Sequence, residues 1–310
     1  MITAAPEAAE TFACFGSTCG VHVTGAGAGT EPREAVLTVR GLMGAWHTRF
    51  TRFDPASELS RLNADPRVEV PVEPLMARFV AAAVEAAKRT GGLVDPTLVR
   101  SLEALGYARD LGAPLPLDLA LRLAPARAPA APSAAARWRE VSVDRARCTV
   151  RRPPGVALDS GGVAKGLFAD MLAGLLAGHD AFAVDCGGDL RVGGAAGVAR
   201  EVRVASPFDG SVLHVFELAH AGIATSGIGR RSWLAGGRAA HHLLDPATGR
   251  AAFTGIVQAT AIAPTALDAE IRAKAALLSG PAGAAAWLPD GGVLVFDDGA
   301  LEVIGLPATP

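Results

Sequence analysis

Apolar positions recur along this chain with two different periods. In the first half the period is helical. In "PREAVLTVRGLMGAWHTRF" residues Val36, Val39, Leu42, Met43 and Trp46 fall on one stripe of a helix. "PLMARFVAAAVEAAKRTGG" predicts an amphipathic helix stopped at Gly91 and Gly92. Between them, "TRFDPASELSRLNAD" predicts a short capped helix over 57–63, after an Asp-Pro turn. "LVDPTLVRSLEALGY" reads as a loop and a short helix. Ahead of these, "STCGVHVTGAG" alternates polar and apolar residues and predicts a strand that ends in a turn.

In the second half glycine-rich turns alternate with short apolar runs: "AFAVDCGGDLRVGG", "VRVASPF", "VLHVFELA", "GIATSG", "VQATAIAP", "GGVLVFDDG" and "LEVIG". Each predicts a strand, and helices are predicted at 163–177 and 266–278. Strands with interspersed helices predict a layered α/β or α+β arrangement. Residues 111–136 break both periods. Their Pro and Ala content supports no element assignment, and they read as a surface excursion and a candidate for mobility. "WREVSVDRARCTVRRPP" then predicts a hairpin about "DRAR".

Composition narrows the class. The 310 residues suffice for one large domain or two modest ones, and half of them are hydrophobic. Much of that half is alanine, which buries little area. A net charge of −2 leaves no footprint for nucleic acid. No run approaches the roughly 18 apolar residues of a membrane span. The N-terminus shows no basic segment followed by an apolar one, so no signal peptide is predicted and a cytoplasmic location is expected. Cys14, Cys19, Cys148 and Cys186 are scattered and read as free thiols.

Only three of the 29 basic residues are lysines: Lys88, Lys165 and Lys274. Lys165 sits in "LDSGGVAKGLFAD", where Ser160, Gly161 and Gly162 precede a helix. Glycines at a helix N-terminus let backbone N–H groups approach an anion, and a lysine in the first turn can reach the same anion. The spacing is not that of the Walker pattern. Asp170 lies nearly half a turn off the face of Lys165 and is free for another contact. "VDCGGDLRVGG" offers Gly187, Gly188 and Asp189, either as a second ligand turn or as a plain hairpin turn. "IATSGIGRRSW" supplies Ser226 and Arg231, a hydroxyl and a guanidinium suited to phosphate. In "AAHHLLDPATGRAA" His241 and His242 would face opposite sides of a strand, with the Asp245–Gly249 turn behind them. A histidine fixed there can accept a proton near neutral pH.

Taken together and in order, these segments resemble the FAD:protein FMN transferases, the ApbE-type flavin transferases, along nearly the whole chain. The resemblance implies a single domain over 1–310 with a T-fold-like α+β architecture, mixed or antiparallel sheets and flanking helices. It implies that FAD is bound and that FMN moves to a Thr or Ser hydroxyl of an acceptor protein, with AMP released. Lys165, Ser226 and the glycine turns (Ser160, Gly161, Gly162, Gly187, Gly188, Asp189) would hold the diphosphate with Arg231 and Lys274. Asp170 would support the site, and His242 and Lys165 would be the catalytic pair. The readings that compete are an FAD-binding protein or flavoenzyme that has lost transfer, and an FAD diphosphatase.

The family also carries a divalent metal, with an Asp and, four residues later, a Thr or Asp in an alanine-rich helix. In "APTALDAEIRAKAALLSG" those positions are Glu270 and Lys274, or Asp268 and Arg272 in the alternative alignment. Glu270 and Gly162 are the candidate metal contacts, and Mg²⁺ is the candidate ion. A cation at a ligand position argues against one. A lysine there would stand in the metal's place as a fixed charge, paired with Glu270.

Overall fold

The computed structural model describes residues 5–27, 29–109 and 111–305. Its centre is one eight-stranded sheet of β1 (Glu7–Cys14), β2 (Ser17–Thr24), β3 (Ala181–Asp185), β4 (Asp189–Gly193), β5 (Ala221–Gly227), β6 (Ile256–Ala263), β7 (Gly292–Phe296) and β8 (Leu301–Ile304). Neighbours in the sheet follow chain order, and every neighbouring pair is antiparallel. The architecture is therefore α+β with an antiparallel sheet and flanking helices, as expected.

Helices enter at two of the connections. Between β2 and β3 lie α1 (Pro32–Phe50), α2 (Glu58–Ala64), α3 (Pro74–Arg89) and α4 (Ala164–Leu176); between β6 and β7 lies α5 (Ala266–Ser279). Helix α1 packs on β1 and β2, α4 on β3 and β4, and α5 on β4, β5 and β6. Helix α4 touches both α1 and α5, so the three make one layer. Strand β6 is buried at every position, which requires cover on both faces. The hairpin of Arg200–Ala205 and Val212–Leu218 lies against it opposite α5, where Gln258 Nε2 donates to Ala205 O at 2.9 Å.

Local chemistry explains the boundaries. Ser57 Oγ accepts from Ser60 N at 3.0 Å and starts α2; Thr265 Oγ1 accepts from Asp268 N at 3.0 Å and starts α5. Asn63, near the end of α2, fastens the strand-like segment before the Ser160 turn. Its amide donates to Leu158 O at 2.9 Å and accepts from Leu158 N at 2.7 Å. The fully buried Arg152 donates to the Leu62 and Asp65 carbonyls and seals the end of α2.

Three features differ from the sequence reading. Strand β1 has no counterpart there, because "EAAETFAC" sets alanines and glutamates at a sheet edge, where alternation carries little hydrophobic contrast. The hairpin at Ser142–Asp144 and Thr149–Arg151 gains a third strand, Glu69–Pro71. The 111–136 excursion is not free. It forms a helix at Leu117–Arg122 that buries Leu117 and Ala120. Ala128 N donates to Phe253 O at 3.1 Å, Ala130 N to Leu278 O at 2.9 Å, and Ala131 N to Asp245 Oδ1 at 2.9 Å. It is a strap across the end of α5. All four cysteines are free thiols. Among the described residues no helix is long and apolar enough to cross a membrane.

Candidate functional site

Ser160, Gly161 and Gly162 lie between the Asn63-anchored segment and α4. Ser160 Oγ donates to Phe50 O at 3.0 Å, which ties the turn to the end of α1. Ser160 O accepts from Ala164 N at 3.1 Å, so the turn runs directly into the helix. Lys165, in the first turn of α4, forms an ion pair with Asp189 at the start of β4. The side chains are 16% and 2% exposed, so this is a buried pair. Burial alone would lower the Lys165 ammonium; Asp189 and then Glu270 outweigh it, and its pKa ends raised. Lys165 stays charged.

Helix α5 meets α4 at Gly166. A Cβ there would lie 2.6 Å from Ala266 O, so only glycine permits the approach. The contact lets Glu270 Oε2 accept from Gly166 N at 2.9 Å. Glu270 is buried, and its pKa is pushed up to about 7, by burial first and by Asp189 second, against Lys165 and Lys274. One turn further on, Lys274 Nζ donates to Gly161 O at 3.3 Å and lies 2.8 Å from where a Gly162 Cβ would stand. Its pKa is lowered by burial, with Lys165 adding repulsion and Glu270 opposing. Two of the three lysines thus flank one glycine turn; Lys88 is exposed in the last turn of α3.

The turn opens on a cavity of about 610 Å³ lined by aromatic rings (Phe15, Phe50, Phe53, Tyr107, Phe168) and by Ser160, Gly161, Lys165, Arg231 and His242. A smaller cavity of about 60 Å³ adjoins it at Asp159, Gly161 and His242 and is lined further by Asp95, Gly162 and Lys274. Arg231 is held by Phe15 O, to which Nη2 donates at 3.0 Å. The paired histidines do face opposite ways. His241 packs edge-on against Phe253 with ring centroids 4.7 Å apart, and burial drives its pKa down to about 3. His242 faces the cavity, and its Nδ1 is buried with no hydrogen-bond partner. Burial first, then Arg231, His241 and Lys274, hold it well below the usual histidine range, so it is a neutral imidazole.

Arg52 carries no mark of a site residue in the sequence. Its guanidinium carbon lies 4.4 Å from the Phe53 ring centroid and 4.3 Å from that of Tyr107, and its Nε is 3.6 Å from Asp159 Oδ1. The side chain is 8% exposed, lines the large cavity, and has an Nη2 with no hydrogen-bond partner. A planar cation against two adjoining rings, whose centroids are 5.5 Å apart, on the wall of the cavity suits a ligand oxygen at the edge of an aromatic ring system. The signal is weak: an arginine two residues before Asp54, with Tyr107 far along the chain.

Other expected site residues fall elsewhere. Asp170 lines neither cavity. Its carboxylate accepts from Ala266 N at 2.8 Å and Leu267 N at 2.9 Å, so it caps α5, the helix that carries Glu270 and Lys274. It is a positioning residue, not a ligand contact. Gly187 and Gly188 line neither cavity and form the β3–β4 hairpin turn, with Gly188 N donating to Asp185 Oδ1 at 2.7 Å. Asp189 acts through Lys165. Ser226, on β5, lies outside both linings and shares its strand face with Gly222, which abuts the start of α5. Asp245 binds its own turn and the strap, accepting from Thr248 Oγ1 at 2.7 Å and from Ala131 N.

The candidate metal contacts do not suit a divalent ion. One oxygen of Glu270 is taken by Gly166 N, and both Lys165 and Lys274 act on this carboxylate. Glu270 makes no ion pair with Lys274 here, contrary to expectation. Among the described residues no group of three or more His, Cys, Asp or Glu side chains is placed to hold a metal. Asp95 and Asp159 line the same small cavity, but Asp159 pairs with Arg52 and Asp95 accepts from Thr97. Mg²⁺ takes oxygen ligands in near-octahedral array, and two ammonium groups among carboxylates already engaged oppose it.

Known proteins share this arrangement of chain. The FAD:protein FMN transferase of Salmonella typhimurium is 31% identical over 208 residues, 64% of this chain and 58% of that protein, so the chain spans little more than half of that relative's length. The FAD:protein FMN transferase of Treponema pallidum is 27% identical over 288 residues, 86% of this chain and 77% of that one. The crystal structure of the ApbE protein from Thermotoga maritima superposes with a TM-score of 0.77 at 25% identity, over 96% of this chain and 97% of that chain. The ApbE family itself matches residues 15–295. With that match running from the β1–β2 turn into β7, the chain belongs to the ApbE family.

Proposed function

We propose that this chain binds FAD as a substrate and transfers FMN to a Thr or Ser hydroxyl of an acceptor protein, releasing AMP. The observation that carries the reading is the meeting of Lys165, Arg231 and His242 at the Gly161 turn, on the wall of an aromatic cavity of about 610 Å³. The rings accept a flavin face, and the cations and the helix N-terminus accept a diphosphate. The names of the relatives support the same activity.

In this reading the acceptor oxygen attacks the phosphorus on the FMN side of the diphosphate. The bond from that phosphorus to the bridging oxygen breaks, and AMP departs with the electron pair. The hydroxyl proton passes to neutral His242. The cations that depress this imidazole in the free site are offset once the diphosphate arrives, so substrate charge raises its basicity when it is needed. Lys165 and Arg231 balance charge on the phosphoryl oxygens. No step requires a metal.

The test is incubation of the chain with FAD and an acceptor carrying the Thr-containing flavinylation motif, followed by mass spectrometry. An acceptor heavier by one FMN moiety, with AMP formed in equal amount, is the expected result. Free FMN and AMP without acceptor modification would make the protein a diphosphatase instead. FAD bound with no turnover would make it a flavin-binding protein.

A further inference from the structure

We propose that Lys274 is a resident cation for the ligand's diphosphate: its ammonium supplies at the Gly161–Gly162 turn the positive charge that a divalent ion would otherwise bring. The inference rests on the FAD reading above but concerns the anion site alone.

Three observations converge on it. The first is position. Lys274 Nζ reaches across from α5 to Gly161 O, and it fills the space in which a Gly162 side chain would begin. It also lines the small cavity beside His242, which adjoins the large one. The second is spare hydrogen-bonding capacity. An ammonium has three donors, and among the described residues Gly161 O is the acceptor it has. The others are free for phosphate oxygens.

The third is charge balance. Two carboxylates, Asp189 and Glu270, are buried beside two ammonium groups, Lys165 and Lys274. Asp189 is committed to Lys165 by an ion pair, and Glu270 to a backbone N–H. Among the described residues, Lys274 is the cation of this set with no carboxylate in contact. The repulsion from Lys165 that depresses it disappears into a ligand that carries negative charge between them. An ammonium is also a directed donor that cannot leave, so the charge is present before the ligand arrives. A divalent ion added to the same space would meet both lysines, while the carboxylates nearby are already engaged: Glu270 by Gly166 N, Asp159 by Arg52 and Gly161 N, and Asp95 by Thr97.

The experiment is calorimetric titration of FAD, and separately of inorganic pyrophosphate, into the full chain in EDTA and in Mg²⁺. Titration of Mn²⁺ alone into the full chain is followed by its paramagnetic resonance signal. The expected result is an FAD affinity equal within about twofold in EDTA and Mg²⁺, with no stoichiometric Mn²⁺ bound by the chain alone. Lys274→Gln should weaken FAD in EDTA at least tenfold, and Lys274→Arg should recover part of that loss; thermal melting confirms that both are folded. The proposal is overturned by FAD or pyrophosphate binding that EDTA abolishes and Mg²⁺ restores. Stoichiometric Mn²⁺ binding to the wild type overturns it as well, and so does Lys274→Gln binding FAD as the wild type does in EDTA. Pyrophosphate binding in EDTA that depends on Lys274, with no binding of FAD, supports this inference and overturns the flavin reading. Failure of both ligands overturns both.

Discussion

Two of the chain's Gly-Gly turns, Gly161–Gly162 and Gly187–Gly188, use glycine for different reasons. Gly187 and Gly188 sit at φ +79° and +96°, in the left-handed region, and Gly188 has open space where a Cβ would be. Gly161 and Gly162 do not take positive φ; at Gly162 the missing Cβ makes room for an ammonium 2.8 Å away. One turn needs a conformation and the other needs room. The first reverses the chain between two strands and delivers Asp189. The second lies on the cavity wall and leads into a helix. The element that comes after the glycines, a strand or a helix, decides which use is made of them.

The link between the two turns is the Lys165–Asp189 pair, and cutting it is the strongest way to break the comparison. Asp189→Ala leaves a buried lysine without its ion-pair partner and should cost about 3–5 kcal/mol of stability. Chemical denaturation measures this. A loss below about 1 kcal/mol would mean that Glu270 alone compensates Lys165 and that the hairpin turn is unconnected to the site.

A smaller effect separates the two uses of glycine. Gly188→Ala forces alanine into left-handed backbone and should cost about 1–2 kcal/mol in stability, with FAD affinity unchanged. Gly162→Ala should melt within about 0.5 kcal/mol of the wild type, because the flexible end of Lys274 can yield, yet should weaken FAD by displacing that ammonium. Melting curves and calorimetry on both variants read the contrast. If FAD affinity falls with Gly188→Ala and holds with Gly162→Ala, the roles are reversed.

The smallest expected effect is one of pH. Glu270 has a folded pKa near 7 against an ordinary value of 4.5. The native state therefore holds this proton more tightly than the unfolded one. Its contribution to stability is present below about pH 4.5 and falls as pH rises toward 7, after which it is constant. Glu270→Gln should remove that slope between pH 4.5 and 7, so the difference in denaturation free energy between variant and wild type varies across that window and nowhere above it. A constant difference across the same window and beyond it would show that Glu270 is ionised throughout.

The sequence discloses the parts whose signal is local. Helix α1 is legible residue for residue over Pro32–Phe50, because its apolar stripe and its N-terminal proline act on the helix itself. The strands of the second half are legible because glycine punctuates them. Lys165, Arg231 and His242 stand out because their neighbours are glycines and tight turns, and the structure brings them to one cavity wall. The parts that need distant partners are not legible. Asp170 is legible as a residue off the face of Lys165 that supports the site, but what it supports is not; its partners are backbone N–H groups 96 and 97 residues later. Arg52 gives no sign of its place against two rings, since Tyr107 arrives only when the chain folds back.

The joint between α4 and α5 has a consequence for selectivity. Gly166 admits the close contact, Glu270 bonds across it, and Asp170 bonds across it again one turn later. Lys165 and Lys274 stand on either side of this doubly pinned joint, so the interval between their backbone anchors is set by the scaffold and not by the ligand. For the diphosphate proposed above, the pair would work as a caliper. An anion long enough to touch both jaws gains both contacts, and a single phosphate gains one. On the proposed binding of FAD, discrimination between a dinucleotide and a mononucleotide would be written into a helix crossing, in a glycine that lines neither cavity.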